Sequence, residues 1–453
     1  MSDARLVSRP SWPLVAGAGV ALGVAYTLSP LTVLGLTLLV WVAYRAGRDL
    51  GPRERTWFFT IVTMAIAVRL LVIAGLFLLA DPAKPYATFF GDEELFKSRT
   101  VWLRNIGLGV PISKADVIYA FDDTGKSGYL YVLAYLQALV GDAPYGIHVF
   151  NVACYVTGVL LLFRLVRPAY GTAVALGGMT LLFFLPSLFV WSVSALKEPM
   201  HVLVAAGEIV CMVQVVRAPR WWQRVLALLG VAGGALALET IRRGASIIVA
   251  IGAIGGIGAA WGLPRPRILL AGVLALLVVG AGAVRQPVVQ DRLLALVRQG
   301  ARYHQGHVLT PGYSYKALEG RYYQEPGLVR SMPAKAATAF VVTSLVNFVA
   351  EPRPWAIDTR AMLAYVPEQM VWYVLVALVP VGIIGGIRKD ALLTGVLVAH
   401  ALGVMALVAI PSGNIGTLIR HRGLALPYVA WLAVLGASVM LSAVSAPAAS
   451  KRG

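Results

Sequence analysis

Long apolar runs, each with almost no charge, recur from one end of this chain to the other, and they limit its fold more than any other feature. LTVLGLTLLVWVAY, VTGVLLLF, ILLAGVLALLVVGAGAV and LAVLGASVMLSAV are of this kind. A run of about 20 apolar residues spans the hydrocarbon core of a bilayer as a helix. No water is present there, so the backbone must satisfy its own donors and acceptors, which a helix does within one segment. With 58% hydrophobic residues, 13% charged residues and a mean hydropathy of +0.76, the chain reads as an all-α polytopic membrane protein. Most of its 453 residues belong to one helical bundle. The net charge of +18 therefore does not argue for nucleic acid. In a membrane protein Lys and Arg hold loops in the cytoplasm and meet anionic headgroups. Cys154 and Cys211 both lie inside apolar runs and read as small core residues, not as a disulfide or metal pair. Arg outnumbers Lys, and Ala, Gly, Val and Leu dominate, which suits a GC-rich bacterial genome.

The pattern predicts about twelve spans, at 13–28, 31–46, 57–80, 145–163, 171–190, 199–216, 224–240, 244–262, 267–284, 366–387, 391–411 and 424–446. Charge gives them a direction. Short segments on one side carry 17 basic residues, from Arg5 and Arg9 through Arg217, Arg220 and Arg224 to Lys451 and Arg452. The opposite short loops carry 5: Lys197, Arg242, Arg243, Arg420 and Arg422. Basic residues in short loops stay inside. Both termini are thus expected in the cytoplasm, with no cleaved signal peptide. Two long loops, 81–144 and 285–365, are expected outside. The chain divides on this reading into an N-terminal hairpin with its cytoplasmic loop (1–56), a core with the first outside loop (57–284), the second outside loop (285–365) and the C-terminal helices (366–453). The stretch 336–350 carries Thr338, Thr343, Ser344 and Asn347, and fits an interfacial or re-entrant helix better than a thirteenth span.

The unusual residues gather on the expected outer face. In FFGDEELF three carboxylates stand in a row, Asp92, Glu93 and Glu94, flanked by Phe89, Phe90, Leu95 and Phe96. Adjacent acids crowd one another, and a carboxylate there can act as a general base toward an attacking hydroxyl. It can equally hold a divalent cation through its oxygens. FLPSLFVWSVSALKEP ends a predicted span in Trp191, Lys197 and Glu198. This is either a fixed charge site or an interfacial Trp beside a snorkelling Lys. In LETIRRGAS, Arg242 and Arg243 sit at an outside turn and need a counter-charge, which is Glu239 or a phosphate. GNIGTLIRHRG brings Arg420, His421 and Arg422 to another outside loop, again suited to a phosphate. His304 and His307 have an H-x-x-H spacing but no third ligand nearby, and read as a solvated pair. Arg69 and Glu208 are lone ionisable residues inside spans; such groups face a bundle interior, and either these two pair with each other or Arg69 is a structural clamp.

Acids for base chemistry and cations for anion binding, at one bilayer edge, suit a lipid-linked phosphate sugar as substrate. A carboxylate would activate the acceptor hydroxyl, and basic residues would stabilise the departing phosphate. No nucleotide-binding loop motif is present. At this point the layout resembles the GT-C superfamily of membrane glycosyltransferases. The resemblance rests on GDEELF, on SGYLYVLAYLQALVG before YGIHVFNV, on PSLFVWSVSALKEP, on VAEPRPW with VPEQMVWYVL, and on GNIGTLIRHRGLALP. Members use polyprenyl-phosphate-linked sugars, and an acid of the first extracytoplasmic loop is their base; here that position falls on Asp92, or on Glu93 beside it. Ser127–Gly128 stands where a proline pair is common, and no WWDYG motif occurs. The resemblance implies an inverting transferase of the bacterial inner membrane, acting outside on a glycan, lipid or protein acceptor; no cofactor is assigned, and a divalent cation on the acid row stays an open alternative. Two other functions compete with it. An O-antigen-type polymerase or ligase would work through Arg420 with His421, or Arg302 with His304. A lipid-linked sugar transporter or flippase would place polar residues near the midplane.

Overall fold

The computed structural model describes residues 13, 16–17, 19–21, 29–79, 92–122, 127–310, 312–357 and 360–449. Among the described residues the protein is all-α and multi-pass. Nine helices are long and apolar enough to cross a membrane, and a bent pair brings the number to ten. They include Pro52–Leu78, Tyr145–Tyr170, Glu198–Arg217, Trp221–Ile241, Ala245–Gly262, Pro266–Arg285, Val366–Lys389, Ala391–Ala409 and Leu426–Ser445. These match the expected spans from 57–80 onward. The span expected at 31–46 is a 17-residue helix, Pro30–Ala46. The one at 13–28 lies almost wholly outside the described residues.

The span expected at 171–190 is the bent pair. Thr172–Phe184 and Pro186–Val193 meet at 63°. The cause is local. Proline at 186 has no N–H to continue the ladder, and its ring drives the preceding residue out of the helical region. Leu185 accordingly takes φ −61°, ψ 127°. The stretch 336–350 is a separate helix, Ala334–Ala350.

The chain falls into two compact units that interleave along the sequence: Met1–Asp49, Val62–Thr157 and Ser192–Met200 form one, and Leu50–Ile61, Gly158–Trp191 and His201–Gly453 form the other. In the first unit the helix Glu93–Gly107 packs on Gly128–Val140. Phe96 meets Tyr129 edge to face, and Arg99 donates to the carbonyls of Ala120 and Asp122. Gly35 on the helix Pro30–Ala46 lets it approach Val149, where an added Cβ would stand 3.0 Å from a side-chain methyl.

In the second unit small residues set the closest crossings, as membrane helices require when lipid supplies no hydrophobic contrast. Val366–Lys389 and Leu426–Ala449 cross at Gly382 and Gly436. A Cβ on Gly382 would lie 1.9 Å from the Leu432 carbonyl oxygen. Ala245–Ile257 and Ala391–Ala409 cross at Gly255 and Gly395. Trp431, fully buried, lies over Gly178. Of the two readings of Arg69, the structural clamp is the one its bonds support. Arg69 Nε donates to Ser192 Oγ at 2.7 Å and its Nη1 to the Ala65 carbonyl at 3.0 Å. Glu208 Oε2 meets His400 Nε2 at 3.2 Å. A guanidinium in a span is met as well by nearby hydroxyl and carbonyl oxygens as by a distant carboxylate.

Candidate functional site

The acid row opens a helix. Asp92 caps Glu93–Gly107, so the three carboxylates occupy the cap and first turn, where the helix dipole favours negative charge. Successive helical residues point in different directions, and the row splits accordingly. Asp92 and Glu94 are exposed, while Glu93 is fully buried. Glu93 Oε1 accepts the backbone N–H of Ala195 at 2.6 Å, and Oε2 lies 3.7 Å from Lys97 Nζ one turn along the helix. Lys97 is itself buried above the Phe77 ring, and burial lowers its pKa.

The Glu93–Ala195 bond is one of several on the same short turn. Segment 194–197 is non-helical, between Pro186–Val193 and Glu198–Arg217. Arg69 holds Ser192. His148 Nδ1–H donates to the Val193 carbonyl at 2.7 Å. Asn151 Nδ2 donates to the carbonyls of Ser194 at 2.7 Å and Leu196 at 2.8 Å. Tyr129, whose hydroxyl pKa burial pushes well up, donates to Asn151 Oδ1 at 3.2 Å. Three helices thus grip five consecutive residues, 192–196, and Tyr129 of a fourth braces Asn151. The next two are Lys197, half-buried, and Glu198, buried in the first turn of its helix. The buried carboxylate therefore fastens two motifs that lie a hundred residues apart, leaving Asp92 beside it at the surface. His148 and Asn151 both lie in the stretch YGIHVFNV, but nothing in it gives them a role beyond polar character inside an apolar run.

The basic residues of the second unit fall into different environments. Glu239, one of the two counter-charges expected for this arginine pair, interacts electrostatically with Arg243 and has a second role as well. Its carboxylate accepts the N–H groups of Gly244 (2.8 and 3.0 Å) and Ser246 (3.1 Å) and the Ser246 hydroxyl (2.7 Å), capping the helix Ala245–Ile257. Gly244 takes φ 85°, a left-handed turn that suits glycine. Arg242 Nη1 instead reaches His421 Nε2 at 3.4 Å. Ser412 Oγ donates to the Val408 carbonyl at 2.6 Å, so it accepts from His421 Nδ1–H at 3.1 Å. His421 Nε2 is then the acceptor for Arg242. Arg243 is exposed. Arg420 stands 6.0 Å over the Trp191 ring.

Arg422 acts as a structural tie and also lines a cavity with Glu368, Gln369 and Trp372. It is 4% exposed, donates to the Phe348 carbonyl (2.6 Å), to Gln369 Oε1 (2.7 Å) and to the Glu351 carbonyl, and lies between Phe348 and Trp372. It thereby satisfies carbonyls at the C-terminal end of Ala334–Ala350, which that helix cannot satisfy itself. Burial lowers its pKa to about 10, so it stays charged.

His304 and His307 are not a solvated pair. His304 Nδ1–H donates to the Ser412 carbonyl at 2.5 Å, and its Nε2 accepts the Ala317 N–H at 3.2 Å. His307 Nδ1 donates to the Pro411 carbonyl at 2.7 Å. Both side chains fasten the loop that leads into Ile415–Arg422, a loop also bridged by Ser314 to Asn414. Burial lowers the His304 pKa to about 4 and keeps the ring neutral. No group of three metal-ligating side chains occurs among the described residues. Comparison of the chain with protein-family models, with curated proteins and with solved structures finds no match.

Proposed function

We propose that the protein is an inverting membrane glycosyltransferase of GT-C type, moving a sugar from a polyprenyl-phosphate-linked donor to an envelope acceptor. It would lie in a bacterial inner membrane with twelve spans, both termini cytoplasmic and the site outside. The observation that carries the reading is the Glu93–Ala195 bond, which joins the acid row to the turn bearing Lys197 and Glu198. A catalytic acid needs a fixed neighbourhood, and this one rests on a buried clamp.

Asp92, exposed and at the start of the helix, is the base in this reading. It takes the proton of the acceptor hydroxyl as the hydroxyl oxygen attacks the anomeric carbon. The bond from that carbon to the phosphate oxygen breaks, and the electron pair leaves with the phosphate. Glu93 holds the scaffold. Lys197, on the turn that Glu93 fastens, is the candidate anion ligand of this unit; in the other unit Arg242, held by His421, with Arg243 and Arg420, are anion-ligand candidates taken by themselves.

A second reading, a polysaccharide polymerase or ligase, draws on that same Arg242–His421 contact. The two separate in one experiment. Host strains lacking the gene are complemented with wild type, Asp92→Asn or His421→Gln at equal expression, and their envelope glycans are profiled. The transferase reading expects a sugar that wild type restores and Asp92→Asn does not. If Asp92→Asn restores it and His421→Gln does not, the polymerase reading replaces it.

A further inference from the structure

The helix Pro287–Leu309 begins two residues after Arg285 ends the span Pro266–Arg285, none of whose residues is buried in the protein. That span faces lipid along its length, so Pro287 starts at the headgroup level. The helix that follows has three faces, not two. Leu294, Val297, Ala301 and His304 form the face held by the protein, against Val329, Met332, Ala337 and Phe340. Arg298 adds two bonds to the Met332 carbonyl, at 2.7 and 3.0 Å. Arg292, Gln299 and Arg302 lie on a polar face.

Between these runs a third stripe, at positions 289, 293, 296 and 303, occupies one side of the helix and is interrupted at Gly300, which packs on Ile410. Its Leu293, Leu296 and Tyr303 are 46%, 64% and 57% exposed. Water would be a poor neighbour for them. A groove of about 440 Å³ runs on from the stripe, with Val284 of the exposed span, Leu293, Val297 and Val341 in its walls and Gln290, Asp291 and Thr338 as its polar lining.

We propose that Pro287–Leu309 is seated in the headgroup layer of an anionic bilayer. The stripe of Leu293, Leu296 and Tyr303 lies among the acyl chains, Arg292 and Arg302 meet lipid phosphates, and an acyl chain fills the groove. Three observations favour lipid over a protein partner. The helix continues directly from a lipid-facing span, the groove opens beside that span, and cations border the stripe where anionic headgroups would lie. The inference is independent of the catalytic reading.

The test uses the unaltered chain in vesicles of phosphatidylcholine with and without phosphatidylglycerol. A lipid-soluble carbene reagent and hydroxyl radicals are applied separately, and modification is mapped by residue and corrected for intrinsic reactivity. The proposal expects Leu293, Leu296 and Tyr303 to take the carbene label several-fold more than Gln299 and Arg302, and the radical several-fold less. Phosphatidylglycerol should deepen that protection. Radical modification of the stripe equal to that of Gln299 in both vesicle types would overturn the seating. Protection indifferent to phosphatidylglycerol would overturn the role given to the arginines.

Discussion

Asp92 and Glu93 are neighbours in sequence and opposites in environment, and substitution separates them. Glu93→Gln keeps an oxygen for the Ala195 N–H but leaves Lys97 buried without its counter-charge. Breaking one partner of a buried pair costs about 3–5 kcal/mol. We expect a marked fall in thermal stability in detergent, partly recovered in Glu93→Gln with Lys97→Met. Asp92→Asn, at an exposed position, should leave the melting temperature within error. Equal melting shifts for both single variants would contradict the split environment. His304 makes a second residue-scale prediction. Its pKa is lowered to about 4, below the ordinary value of 6.5, because the fold buries the ring and uses Nε2 as an acceptor. The unfolded chain therefore binds the proton first. The stability that neutral His304 contributes is present above pH 6.5 and is lost as pH falls toward about 4. The full loss is about 3 kcal/mol at 1.36 kcal/mol per pH unit. Amide exchange at Ala317 and in 411–415 should accelerate across that window in wild type, and His304→Gln should flatten the acid dependence. Unchanged exchange down to pH 4 would remove the argument.

Helices in this protein meet where glycine lets backbones touch. Gly436 faces Leu378, whose carbonyl oxygen lies 2.2 Å from where a Cβ would be, and Gly382 has the Leu432 carbonyl at 1.9 Å. Neither obstacle is a flexible side chain, so a methyl group must push the helices apart. Overpacking a tight core costs about 1–3 kcal/mol. Gly436→Ala should lower the melting temperature and the monodisperse yield. Gly207→Ala serves as its control, since nothing lies within 4 Å of that position. There the gain in helix preference over glycine leaves stability unchanged or raised by up to about 1 kcal/mol. Equal behaviour of the two variants would mean that Val366–Lys389 and Leu426–Ala449 do not cross at these residues. Sequence alone announced these helices through their length, because hydrocarbon demands it. It did not announce the crossings, since a glycine in an apolar run looks the same whether it faces lipid or a carbonyl. The bend at Leu185 was present as a proline, yet the run reads as one span because hydropathy does not register direction.

For the whole molecule, the legible and illegible parts follow from range. Composition and periodicity are local, and they predicted the long apolar helices and the short helices of the loops, but not that the acid row opens a helix. Partners are not local. Glu93 finds Ala195, Glu208 finds His400 and Arg422 finds Phe348, each across most of a hundred residues or more. That is why Arg422 read as a ligand for phosphate until its carbonyl partners were visible, and why the clamp residues His148 and Asn151 went unremarked. Orientation is the property that charge alone argues. The exposed Arg243 lies in a short loop counted as outside, and the exposed Arg388 lies among the residues counted as inside. The positive-inside bias between the two sets is 17 to 5. Short-loop charge sets topology, whereas long loops cross regardless. Cysteine at 243 should react with a membrane-impermeant maleimide in intact spheroplasts, and cysteine at 388 only after permeabilisation, in a background where Cys154 and Cys211 are replaced. The reverse pattern would invert the protein, place Asp92 and Lys197 in the cytoplasm, and remove the reason to expect a donor on the outer leaflet. Labelling of both positions before permeabilisation would instead mean an even number of crossings between them, four in place of three, and the stretch Ala334–Ala350 would then be the segment to count as a further span.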